Sequence, residues 1–137
     1  MENWIQDVIS KWREEEVELN PPATFAEIGD IETALNFKFP DDFKEFYLSA
    51  NGFNGFDWQE HMFTLWPLNL IKDEFKSVHS NGNFIGFSDW LLASHLIGFN
   101  KNRPGVFKSY NGDDGELIAE SFEIFVDMIN SKNKLLY

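Results

Sequence analysis

The sequence contains no cysteine, which excludes disulfides and thiolate metal ligands. It has no run of about 18 apolar residues, the length that a membrane-spanning helix requires. Its first residues, MENWIQDVISKWREEE, are charged and amphipathic and lack the basic and apolar regions of a signal peptide. These three absences together lead us to expect a cytoplasmic protein. Positive charge is also scarce: 11 Lys and Arg stand against 23 Asp and Glu, a net charge of −12. Direct nucleic-acid binding requires a basic footprint, and an anionic bilayer would repel this chain, so neither partner is expected. A basic protein would be attracted and steered; the alternative is that the acidity serves solubility.

Chemistry-bearing motifs are equally sparse. No G-x-S-x-G surrounds Ser10, Ser49, Ser88 or Ser121. Gly52 and Gly55 follow a helical pattern rather than precede one, so they do not form a phosphate loop. His61, His79 and His95 have no histidine or glutamate at metal-binding spacing. His95 lies in an apolar stretch and reads as a core or edge residue. Asn111-Gly112-Asp113-Asp114-Gly115-Glu116 lacks calcium-loop spacing and reads as a hairpin or strand-to-helix turn with exposed carboxylates. No cofactor or metal is expected.

What is present is a core. The chain has 137 residues, 43% of them hydrophobic, with 15 Phe and 5 Trp, enough for one globular domain over residues 1–137. Trp4, Val8 and Trp12 fall on one face of a first helix with Ile5 and Ile9 beside them. Asn20-Pro21-Pro22 breaks it. Thr24 and Glu27 have capping-box spacing at the start of a second helix, whose inner stripe is Ile28, Ile31 and Leu35. Pro40 to Ala50 predicts a third, with Phe43, Phe46, Tyr47 and Ala50 at i, i+3, i+4, i+7 and Asn51-Gly52 as its left-handed stop.

After Gly52 the pattern turns to short strands. They are expected at Phe63–Trp66, Phe84–Phe87, Trp90–Phe99 and Val106–Tyr110. Turns fall at Ser80–Asn83, Asn100–Gly105 and Asn111–Gly115, and a short helix at Asn69–Val78. Ser121 is the N-cap of a last helix with Phe122, Phe125, Val126 and Ile129 inward. Helices, then strands, then a closing helix predict an α+β fold. Its mostly antiparallel central sheet is flanked by the N-terminal helices and the C-terminal one.

In order, these motifs resemble the SUKH superfamily, the Smi/Knr type of domain. A helix leads into Phe39-Pro40, where the family usually has Leu-Pro. Asp42-Phe43-Lys44-x-Phe46 and Asn51-Gly52 follow, then Gly86-Phe87-Ser88-Asp89 at a strand end and Ala119-Glu120-Ser121-Phe122-Glu123-Ile124-Phe125 at the finish. The likeness runs from Thr24 to Ile129; the first helix is the least family-specific part. Each motif is a packing signal, and their order carries the resemblance.

The resemblance implies a binding protein, not an enzyme, because the family has no shared catalytic residues to transfer. Bacterial members are similar to immunity proteins that bind and block a toxin domain, often a nuclease. The expected partner is therefore a cognate, basic toxin domain, bound by a monomer or weak homodimer. A regulatory adaptor of the yeast cell-wall-synthesis type and a carboxylate-dependent hydrolase stand as alternatives. For the hydrolase, the obvious cluster is Asp57, Glu60, Asp73 and Glu74. The expected contact surface is Phe56, Asp57, Trp58, Glu60, Asp73, Asp113, Asp114 and Glu116. In it an exposed aromatic is ringed by acids, unless the aromatics of the 53–63 segment tuck back over the sheet.

Overall fold

The computed structural model describes residues 3–54, 63–77, 83–90, 95–110 and 115–131. The elements, in order, are α1 (Asn3–Glu14), α2 (Phe25–Leu35), α3 (Asp41–Tyr47), β1 (Phe63–Leu65), α4 (Leu68–Ser77), β2 (Phe84–Trp90), β3 (His95–Asn100), β4 (Arg103–Ser109), β5 (Glu116–Ala119) and α5 (Phe122–Asn130). The strands form one antiparallel sheet in the order β1-β2-β3-β4-β5. This is the α+β architecture that the helix-then-strand pattern predicts.

The helices owe their placement to caps and stripes. Thr24 Oγ1 accepts from Glu27 N–H at 3.1 Å, and Glu27 Oε1 accepts from Thr24 N–H at 3.0 Å, the reciprocal capping box. Asn36 ends α2 at φ 53, a left-handed cap. Ser121 Oγ accepts from Ile124 N–H and starts α5, whose Phe122, Phe125, Val126 and Ile129 are buried as expected. In α1 the buried line is Ile5, Ile9 and Trp12, with Trp4 and Val8 at its margin. Trp12 Nε1 donates to Asn130 Oδ1 at 2.9 Å, joining α1 to α5.

Two expectations about α3 are corrected. Pro40 is its extended N-cap rather than its first helical residue, and the helix stops at Tyr47. Ser49 and Ala50 both direct their N–H groups to Phe46 O, a tightening that ends the helix early. Asn51-Gly52 is therefore not a helix cap but a crossing point. Gly52 has φ +72, and a Cβ there would meet Trp66 C at 2.6 Å. Asn51 Oδ1 accepts from Leu68 N–H at 2.9 Å and so caps α4 instead.

The strands shift more. Gly86-Phe87-Ser88-Asp89 lies inside β2, not at a strand end. Its glycine makes room for the Trp66 indole, 3.1 Å from where a Cβ would be, and Asp89 Oδ2 accepts from Trp66 Nε1 at 2.7 Å. The expected single strand from Trp90 to Phe99 is two strands, because Trp90 is paired across the sheet with His95. β4 begins at Arg103, already paired with Asn100, so the expected turn at Asn100–Gly105 narrows to Lys101 and Asn102.

Phe43 is the centre of the core. Its ring lies 4.2 Å from that of Tyr47, 4.5 Å from Phe39, 5.1 Å from Phe122 and 5.3 Å from Phe99. Beside it the Tyr47 hydroxyl donates to Trp66 O at 2.6 Å. Burial raises that phenol's pKa well above the ordinary value of about 10. The unfolded chain releases this proton from about pH 10 while the folded chain keeps it, so the folded state binds more protons there. The contribution is complete below about pH 10 and declines as pH rises, by about 1.4 kcal/mol per unit. Tyr47→Phe leaves Trp66 O without its donor and costs about 1–3 kcal/mol at neutral pH. Denaturant titrations should show this deficit shrinking above about pH 10; a constant deficit would mean that the phenol ionises in the folded protein.

Candidate functional site

A cleft of about 780 Å³ lies where the chain entering α2 faces the start of α4. Its walls are built by asparagines acting on backbone. Asn20 Nδ2 donates to Asn51 O at 2.9 Å and Phe53 O at 3.1 Å. Asn54 Nδ2 donates to Glu18 Oε2 at 2.7 Å, and the Asn54 N–H donates to Glu18 O at 2.8 Å. These bonds fix the crossing of residues 18–22 over 51–54 and hold Pro21 and Pro22 at the mouth. Glu27 and Asp30 of α2 line one wall and Lys72 of α4 the other.

Phe25 is the first residue of α2, and 79% of it is exposed. The stripe Ile28, Ile31 and Leu35 faces inward, and at 3.6 residues per turn Phe25 lies about 90° from its centre, while Glu27 and Asp30 lie about 160° and 140° from Phe25 on the far side of the helix. Pro21, Pro22, Glu27 and Asp30 are exposed as well. Composition alone hid this residue among 15 phenylalanines; its angular offset was the available signal.

Of the sequence-derived contact residues, Phe56, Asp57, Trp58, Glu60, Asp113 and Asp114 lie outside the described residues, as do His61 and His79. Asp73 is exposed on α4, which packs against α2 and β2. Glu116 is exposed at the start of β5, with Oε1 3.9 Å from Lys108 Nζ. The fold does not bring these two together, since β3 and β4 separate β2 from β5. Phe53 and Phe63, the described aromatics flanking the loop, are buried in the core. His95 is a buried strand residue, 5.4 Å from the Trp90 ring and 5.5 Å from Tyr110. β4 and β5 are antiparallel neighbours. Among the described residues no group of three or more His, Asp or Glu is placed to hold a metal ion, and no helix is long and apolar enough to cross a membrane.

Three N-terminal helices, an antiparallel sheet and a closing helix, with Phe39-Pro40, Asn51-Gly52 and Ser121-Phe122 at their joints, define a Smi/Knr-type α+β domain. The chain belongs to the SMI1 / KNR4 family (SUKH-1), whose model matches residues 22–128. That span leaves out α1. The chain is also similar to the uncharacterized protein YnaB of Bacillus subtilis (strain 168). The two are 32% identical over 123 residues, which cover 85% of this chain and 82% of that protein.

Proposed function

We propose that this protein is a non-enzymatic immunity protein. It binds a basic toxin domain of the nuclease type in the cytoplasm and blocks it, contacting neither nucleic acid nor membrane itself. The observation that carries this reading is the exposed Phe25 on a chain of net charge −12 whose Glu27, Asp30 and Asp73 are exposed. A protruding aromatic supplies a desolvated anchor, and the exposed acids a steering field. Acidic side chains would stand where a nuclease expects phosphates.

The test is protection. On this reading the gene for this chain adjoins one for a large secreted protein, and the C-terminal domain of that protein is the toxin to be tested. Its expression should arrest growth, and co-expression of this chain should restore growth and co-purify the toxin as a complex. Arrest that this chain does not relieve would refute the reading.

A further inference from the structure

The net charge is −12, yet one corner of the molecule is positive. A cleft of about 320 Å³, where the β3–β4 turn meets the α2–α3 connection, is lined among the described residues by Lys38, Lys101 and Arg103 and by no carboxylate. Two other clefts mix signs: Glu27 and Asp30 accompany Lys72 in the one between α2 and α4, and Glu32 accompanies Lys38 beside Asn36. Among the described residues none of the three cations is ion-paired. In a chain with twice as many acids as bases, leaving three cations together without a carboxylate opposes the usual tendency of charges to find partners.

Two of the cations are held without being neutralised. Lys101 Nζ stands 4.9 Å from the centre of the Phe75 ring, and the Arg103 guanidinium 4.4 Å from that of Phe107. Arg103 Nη2 donates to Gly115 O at 3.2 Å, one of the five N–H groups of a guanidinium. The turn that carries both is pinned: Lys101 N–H donates to Asn83 O and Asn102 N–H to Asn100 Oδ1, each at 2.8 Å. Phe37 and Phe99, stacked at 5.8 Å, supply an apolar wall.

We infer that this cleft is a binding site for a small phosphate-bearing molecule, its phosphate held by Lys38, Lys101 and Arg103. A phosphate monoester carries about two negative charges at neutral pH and three acceptor oxygens. It therefore suits three cations lining one cleft better than a single carboxylate does. The volume is at the small end of ordinary ligand sites. Repulsion from the remaining acids is screened beyond about 8 Å at physiological salt, so the local sign decides. This site is independent of the toxin-binding reading.

The test is a titration of the whole chain with pyrophosphate at low salt, followed by amide NMR, with hexaglutamate in parallel. Pyrophosphate should give saturable shifts at Lys38, Lys101, Asn102 and Arg103. Lys38→Gln, at an exposed position, should weaken binding roughly tenfold, as loss of one charge-assisted contact predicts. Lys72→Gln should leave it unchanged. Shifts that never saturate, or that spread evenly over Lys11, Lys72 and Lys76, would overturn the assignment. So would unaltered affinity in Lys38→Gln. Saturable shifts at this corner with hexaglutamate but not pyrophosphate would overturn it in favour of an acidic peptide.

Discussion

Phe43→Ala lowers the unfolding free energy by about 3–5 kcal/mol, the range for emptying a buried aromatic site. For a domain of this size that is a fall of roughly 10–20 °C in thermal midpoint. The size of the effect follows from position. Phe43 is fully buried and contacts Phe87 of β2, Phe99 of β3 and Phe122 of α5 as well as its own helix neighbours. No single movement can refill the space, because the surrounding rings belong to three other elements. Phe43→Leu keeps much of the volume and should cost markedly less. A midpoint within a few degrees of wild type for Phe43→Ala would show that α3 does not hold the sheet and α5 together.

Gly52→Ala is expected to cost about 2–5 kcal/mol by a different route. An alanine at φ +72 sits in the left-handed region, a penalty of about 1–2 kcal/mol. Its Cβ would also lie 2.6 Å from Trp66 C and 2.7 Å from Pro67 N and Trp66 O. These are backbone atoms that cannot rotate away, and such overpacking adds about 1–3 kcal/mol. Moving Trp66 aside would strain the Tyr47 hydroxyl bond to Trp66 O and the Asn51 bond to Leu68 N–H. Gly29→Ala is the matched control: nothing lies within 4 Å of its Cβ position inside α2. There alanine should stabilise by about 0.5–1 kcal/mol. Equal effects at the two glycines, read by denaturant unfolding, would contradict the crossing-point role of Asn51-Gly52.

The helical half was legible because its signals are local. The capping box at Thr24 and Glu27, the stripe Ile28-Ile31-Leu35 and the cap at Ser121 depend on residues within a turn or two of one another. The strands were harder because what bounds them is remote. Trp90 and His95 belong to one apolar run in sequence, yet they face each other across β2 and β3. β5, four residues at a sheet edge, carries too little pattern to be set apart from the turn before it. The end of α3 is fixed by the Ser49 and Ala50 N–H groups converging on Phe46 O, and Gly52 beyond it is fixed by its close approach to Trp66, neither of which periodicity encodes. For the functional surface, Phe56 and Trp58 of the sought aromatic segment lie outside the described residues, Phe53 and Phe63 turn inward, and the exposed described aromatic is Phe25 on α2.

The most direct measurement is the association of this chain with the basic toxin domain that the proposed function expects to be encoded beside it, followed kinetically across ionic strength. Exposed steering charges predict an association rate that falls steeply as salt rises through the screening range. Phe25→Ala should accelerate dissociation roughly thirtyfold, as loss of a hot-spot anchor of about 2 kcal/mol requires, while the thermal midpoint stays at the wild-type value. Asp30→Lys should slow association. A salt-insensitive rate combined with unchanged dissociation in Phe25→Ala would contradict the account. Failure to bind the toxin domain, with a cell-wall or signalling protein recovered from the host instead, would contradict it in favour of a regulatory adaptor.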